Sequence, residues 1–265
     1  QTVFEATQTR RPIDDILDEI RVLKDKKKLF FFVDDNITSN LRQAKEFFRA
    51  LIPLQVRWVS QASINAAHDE EFLDLLVRSG CQGVLIGFES LEPANLAMMN
   101  KRFNTAKGGF ETALANLRRH GIRVYGTFIF GYDGDTPDSF APTVAFAEEH
   151  AFYIAAFNHL TPFPGTPLYQ RLQAEGRLLY DAWWLDDRYS YNRIPFTPRG
   201  MSPEALQRAC LEARRAFYGW KSIMRRSVDP VMVRRRLSTR RMSMPASASP
   251  PIKPIDTSRP SIAST

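Results

Sequence analysis

The stretch Gly83-Val84-Leu85-Ile86-Gly87-Phe88-Glu89-Ser90 decides the fold. Its apolar run shows no polar alternation, the mark of a strand buried on both faces, and it stops abruptly on a carboxylate and a hydroxyl. The same form recurs on either side of it. Leu29 to Val33 is apolar and ends at Asp34-Asp35-Asn36. Val56 to Ser60 runs into Gln61. Ile122 to Phe130 ends at Gly131 and the polar run Asp133 to Thr136, and Tyr153 to Phe157 ends at Asn158-His159. Helical patterns lie between these runs. Pro12 opens one in which Ile13, Ile16, Leu17, Ile20 and Leu23 keep a helix period. Ala44, Phe47, Phe48 and Leu51 mark a second. Residues 69–79, 105–120, 137–150 and 166–175 read as further helices, with Gly80 and Gly121 as stops.

Strands alternating with helices imply a parallel sheet, because each crossover passes over one of its faces. An open doubly wound sheet and a (β/α) barrel both satisfy this pattern. In both, the functional edge is the C-terminal end of the strands. Here that edge carries a carboxylate, amide or hydroxyl after every strand, which predicts a ligand site there.

After residue 176 the pattern changes. Trp183-Trp184, Tyr189, Tyr191 and Phe196 form an irregular aromatic stretch. These aromatics either seal an extension onto the sheet or line a channel for an apolar substrate. Ser202-Pro203 then opens a helix with Leu206, Cys210, Ala213 and Phe217 on one face. The expected organisation is a barrel-like unit over residues 1–176, an extension over 177–225 and a basic tail over 226–265. The tail's Ser- and Pro-rich end predicts disorder.

Composition excludes several classes. A chain of 265 residues with 44% hydrophobic and 25% charged residues is neither a wholly disordered protein nor a collagen. The formal charge is +7, yet residues 221–265 hold ten Lys/Arg against two Asp/Glu. Removing that +8 leaves −1 for the first 220 residues, so the basic excess belongs to the tail. No aromatic residue is interleaved with the tail's arginines, which argues against nucleic-acid stacking. No apolar run reaches the roughly 18–20 residues of a transmembrane helix. Cys81 and Cys210 are far apart in sequence and read as reduced core thiols in a cytoplasmic protein. HExxH, GxGxxG after a strand and GxSxG are all absent.

Four strings, each at a strand end, together resemble the radical S-adenosylmethionine superfamily. Gly87-Phe88-Glu89-Ser90 resembles its GxES element. Gly126 to Gly131, running into Tyr132-Asp133-Gly134-Asp135-Thr136, is similar to its strand-five element, with Asp135 where Glu is usual. Thr161-Pro162-Phe163-Pro164-Gly165-Thr166-Pro167-Leu168-Tyr169 resembles a string of the cobalamin-binding branch, as does Val33-Asp34-Asp35-Asn36 with Arg11-Pro12 before it. The resemblance covers roughly residues 1–225. It implies an α/β fold, an incomplete TIM-like (β/α) barrel with a C-terminal extension.

The resemblance also implies chemistry. Family members use S-adenosylmethionine and a [4Fe–4S] cluster held by CxxxCxxC to abstract a hydrogen atom from substrate. Cobalamin-dependent members often then methylate the substrate carbon. This chain has no CxxxCxxC, and Gln1 aligns just downstream of it, so the cluster ligands are expected upstream of Gln1 and no metal ligand within the chain. By the resemblance Asp34, Asp35 and Asn36 contact the methionine ammonium; a helix cap is the competing role. Glu89 and Ser90 bind the amino group or ribose; an internal salt bridge competes for Glu89. Gly131 flanks the adenine or is a plain turn glycine, and Ser60 is a weaker cofactor candidate. Asn158, His159 and Thr161 are the candidates for a substrate pocket, His159 being alternatively a structural hydrogen-bonder. The implied partners are a small or lipid-like substrate and a reductant such as flavodoxin or ferredoxin. The alternative is a catalytically silent barrel fragment that acts at most as a binding module.

Overall fold

The strands form one parallel sheet in the order β1 (Phe30–Phe32), β2 (Trp58–Gln61), β3 (Cys81–Glu89), β4 (Arg123–Phe130), β5 (Ile154–His159). The computed structural model describes residues 11–98 and 109–231. The expected helical residues 105–108 and the tail beyond 231 lie outside them. The strand order settles what alternation left open. A doubly wound sheet reverses direction at a switch point, whereas here every crossover advances by one strand. With right-handed crossovers that puts the helices on one face, as in a section of a barrel wall.

The helices are α1 (Ile13–Leu23), α2 (Leu41–Leu51), α3 (Glu70–Arg78), α4 (Pro93–Met98), α5 (Gly109–Arg119), α6 (Phe140–Glu149), α7 (Pro167–Ala174), α8 (Pro203–Phe217) and α9 (Trp220–Ser227). Their starts follow ordinary capping chemistry. Asn40 accepts from the Gln43 amide, Asp69 from Phe72, Thr166 from Tyr169 and Ser202 from Ala205. The cap of α2 is thus Asn40, not the Asp34-Asp35-Asn36 run.

Aromatic rings fill the space between sheet and helices. Phe48 of α2 stacks on Trp58 at 4.7 Å. Further along, Phe88, Phe128 and Phe157 stack from β3 to β5 at 5.5 and 5.6 Å, and Phe217 of α8 closes the row at 5.8 Å. Each such ring is fully buried, worth about 2 kcal/mol of transfer free energy. The opposite face is less covered. Phe31 is 58% exposed, and Leu85 is only half-buried. The unbroken apolar runs suggest burial on both faces, but the described residues cover one.

The free edge of β5 is closed by side chains from the end of α8 and its C-cap. The Tyr218 hydroxyl donates to the Ala155 carbonyl at 3.0 Å and accepts from the Ala155 amide at 3.2 Å. Arg214 Nε donates to the Phe157 carbonyl at 3.1 Å. These bonds take the place of a next strand and protect the edge. The start of the tail expected at residue 226 falls inside α9. Arg226 is buried, donates to the Phe152 and Phe217 carbonyls at 2.8 Å each, and lies 3.7 Å from the Phe217 ring. The aromatic stretch packs on the loop after β5. Trp183 Nε1 donates to the Pro162 carbonyl at 2.8 Å, and Trp183 meets Phe163 and Tyr189 edge-on or tilted. This is the sealing role rather than a channel lining.

Candidate functional site

Strand β3 ends irregularly. Its register against β4 slips between Gly87 and Glu89, and Glu89 adopts φ +65°, the left-handed region. That conformation costs a residue with a Cβ about 1–2 kcal/mol, and such strain concentrates at functional sites. The slip turns the Glu89 carboxylate back over its own strand. A Cβ on Gly87 would lie 2.6 Å from Glu89 Oε1 and 3.7 Å from Thr127 Oγ1. Glycine at position 87 therefore makes room for the carboxylate. If Glu89 binds S-adenosylmethionine as the resemblance implies, Gly87→Ala is expected to push its carboxylate aside and weaken that binding about tenfold or more, with a melting temperature close to that of the parent chain. Calorimetric titration of the variant checks this; unchanged affinity would show that the carboxylate position does not matter.

A buried polar network joins this turn to the one after β4. The Asp135 side chain is 1% exposed. Its Oδ2 accepts from the Gly131 and Tyr132 amides at 2.8 and 3.0 Å, and its Oδ1 from Asn95 Nδ2 at 2.7 Å. Asn95, fully buried, also donates to Ser90 Oγ at 3.2 Å and accepts from the Gly134 amide at 3.3 Å. Ser90 Oγ accepts from the Glu92 amide at 3.0 Å. Burial pushes the Asp135 carboxyl up, against three donors that pull it down. Burial, then the charges of Glu89 and Asp135, push the Tyr132 phenol far above its ordinary value, so it stays a neutral donor beside two carboxylates. Asp133 points the other way. Burial opposes its charge, but Arg177 and Arg171 at 3.0 and 2.7 Å hold its carboxyl below the ordinary value and tie the loop to the extension.

The remaining candidates separate. Asp34 and Asp35 are exposed at the mouth of the sheet, and among the described residues neither enters an ion pair. Asn36 is engaged locally: its Oδ1 accepts from the Thr38 amide and hydroxyl and from the Ser63 amide at 3.2 Å. Ser60 is 1% exposed on the helix-facing side, and its hydroxyl donates to the Phe32 carbonyl at 2.8 Å. It is a structural bond, and Gln61 occupies the inner face instead. Gly131 has φ +105°, and the space a Cβ would take is filled by Leu206 Cδ2 at 2.8 Å and Phe196 Cζ at 3.2 Å. Its freedom admits the extension. Ser90 lies in the network rather than at the surface. Asn158 Oδ1 accepts from Arg214 Nη2 at 3.3 Å. His159 follows Phe157 in strand parity and so faces the helices. Burial, then Arg214, hold its pKa below the ordinary value, which keeps it neutral at pH 7. Thr161 is half-buried in the loop beyond β5.

The structure thus brings Glu89, Tyr132, Asp135, Ser90 and Asn95 together and leaves Ser60, His159 and Asn36 out. Asn95 and Tyr132 escaped the sequence reading. An asparagine inside a short helix looks solvent-facing until its partner, forty positions away, is folded beside it.

Both cysteines are buried and neither forms a disulfide, and burial pushes the Cys210 thiol up to about 12. Among the described residues no three His, Cys, Asp or Glu side chains converge as a metal site. These two thiols do not fit a [4Fe–4S] cluster. The native chain at pH 8 is expected to react slowly at both sulfurs with a disulfide reagent and fully once denatured in guanidinium. Rapid labelling of the folded chain would contradict the core assignment.

Comparison with known proteins matches this arrangement. Residues 3–147 match the family model of the radical SAM superfamily. The chain is 35% identical over 229 residues to bacteriochlorophyllide d C-12(1)-methyltransferase of Chlorobaculum tepidum, covering 85% of this chain and 49% of that protein. It is 31% identical over 157 residues to the hopanoid C-2 methylase of Rhodopseudomonas palustris, covering 57% of this chain and 30% of that one. The chain spans about half or less of the length of these relatives. The fold is similar to that of the radical S-adenosylmethionine methyltransferase TsrM of Kitasatospora setae, solved with cobalamin and a [4Fe–4S] cluster bound. The TM-score is 0.55 at 18% identity, over 83% of this chain and 47% of that one. With its sequential parallel sheet and the Gly87-to-Ser90 turn at its C-terminal edge, the chain belongs to the radical SAM superfamily.

Proposed function

We propose that this chain is the S-adenosylmethionine-binding barrel of a cobalamin-dependent radical methyltransferase acting on a large, apolar substrate. The observation that carries the reading is Glu89, held in a left-handed turn with its carboxylate over Gly87 at the functional edge. An ammonium needs acceptors, and a carboxylate gives charge-assisted bonds of about twice the strength of neutral ones. Asp34 and Asp35 add exposed negative charge at the same edge. Below Glu89 the inner face carries Gly87, Thr127 and Ala156 in register, small side chains that leave room for a bound molecule. Tyr132, kept neutral, is a donor beside that space.

When bound, S-adenosylmethionine with its cluster and cobalamin supplies hydrogen-atom abstraction and a methyl group. The chain's own part is to bind the amino-acid end, orient it and keep water out. Methylation of a large apolar substrate is supported by two of the relatives, whose names specify a bacteriochlorophyllide and a hopanoid. Those names give no support to a silent fragment. A flavodoxin- or ferredoxin-type protein would deliver the electrons. Among the described residues no helix is long and apolar enough to cross a membrane.

The test is anaerobic reconstitution, with iron and sulfide, of the protein as its gene encodes it. An assay for 5′-deoxyadenosine and for methyl transfer to chlorophyllide-type and hopanoid acceptors follows. Cluster absorbance with cleavage of S-adenosylmethionine is the expected result. Absence of both would overturn the reading.

A further inference from the structure

The end of the sheet away from Glu89 has a cavity of different chemical character. Phe31, Val59, Gly83 and Arg123 stand in register across the inner face near the strand starts. Leu85, Tyr125 and Ile154 form the row above. The two rows line a concave cavity of about 610 Å³, within the range of small-molecule sites. Its walls are apolar yet open, with Phe31 58%, Tyr153 52% and Ile154 36% exposed. Glycine at position 83 lets β4 approach closely, since a Cβ there would fall 2.8 Å from the Arg123 carbonyl.

The floor is positive. Arg57 immediately precedes β2 and Arg123 opens β4, and both line the cavity. Arg123 lies 5.2 Å from the Tyr153 ring, and its Nε is buried with no hydrogen-bond partner. Arg57 Nε donates to the Lys28 carbonyl at 3.3 Å. Among the described residues neither arginine enters an ion pair. Lys26, Lys27 and Lys28 lie just before β1 on the same edge, opposed by Asp25 alone in that run, whereas Asp34, Asp35 and Glu89 make the other edge negative. A buried guanidinium N–H without an acceptor costs about 1–3 kcal/mol, more when charged. The Nε–Nη side of a guanidinium matches the two oxygens of a carboxylate.

We propose that this cavity binds an apolar molecule through its carboxylate, with Arg123 and Arg57 as the anion-binding pair and the inner face as the apolar wall. Gly83 at its floor lies six positions before Glu89 on β3, roughly 20 Å at 3.3 Å per residue, so the anion-binding end is apart from the S-adenosylmethionine edge. The inference concerns binding alone and needs none of the radical chemistry proposed above, so the two can fail separately.

The test is fluorescence titration of the 265-residue chain with pyrenebutyrate and with pyrenebutanol, which differ only in the charged end. The acid is expected to bind about tenfold tighter or more. In the Arg57→Gln/Arg123→Gln chain the two probes should bind alike. The exposed single change Arg57→Gln should shrink the preference without affecting folding, and Val59→Trp, which fills the cavity, should weaken both probes. Melting curves verify that each variant folds. Equal affinity of both probes for the parent chain, no binding of either, or a preference that survives loss of both arginines would overturn the proposal.

Discussion

Replacing Glu89 with glycine is expected to abolish S-adenosylmethionine binding and yet give a more stable chain than replacing it with alanine. Both variants lose the carboxylate. Only glycine relieves the left-handed backbone at φ +65°, because it lacks the Cβ that collides with the following carbonyl. The difference should be about 1 kcal/mol in favour of glycine, or about 2–4 °C in melting temperature for a domain of this size. Calorimetric titration with S-adenosylmethionine, paired with thermal melting, reads both effects. Glu89→Gln keeps the shape and removes the charge, and should lose at least tenfold in affinity with little change in melting. Retained affinity in all three variants would remove Glu89 from the site. Equal stability of the glycine and alanine variants would show that the turn carries no strain.

Asp135→Ala is expected to destabilise the fold by about 3 kcal/mol or more. The Gly131 amide, the Tyr132 amide and the Asn95 side chain would each lose a buried acceptor, at about 1–3 kcal/mol apiece before relaxation. Asp135→Glu, which restores the residue usual in the family, keeps the acceptors but adds a methylene to a site that is 1% exposed, and should cost less than alanine. Asn95→Ala and Asp135→Ala share one network, so their effects should combine non-additively. Urea unfolding of the four chains measures this. A loss under 1 kcal/mol for Asp135→Ala would mean that water replaces the carboxylate and that the two turns are not coupled.

Much of the fold was written in local patterns. The apolar runs found each of the five described strands, although the described residues cover only one face of the sheet. The cap at Ser202 and the stops at Gly80 and Gly121 marked helix ends through interactions within a few residues. Side-chain direction at the strand ends was less legible. Ser60 and His159 sit one position from residues of the inner face, and a shift of one reverses the face. Alternation places Glu89 on the inner face with Gly87, but the register slip and left-handed backbone that fold its carboxylate back over Gly87 have no local signal. Gly131 read as an opening for a ligand because the sequence does not show that Leu206, seventy-five positions later, fills the space.

Alternation of strand and helix, polar strand ends and a charge excess confined to the tail are all written along the chain. Those properties depend on neighbours along the chain. The tertiary structure alone decided barrel wall over doubly wound sheet, the Asn95–Asp135 link, and the opposite charges of the two sheet edges. Strand order, buried partners and the field across a sheet are set by contacts between residues far apart in sequence. No local pattern encodes them, because the same alternation of apolar and polar residues is compatible with several ways of bringing those residues together.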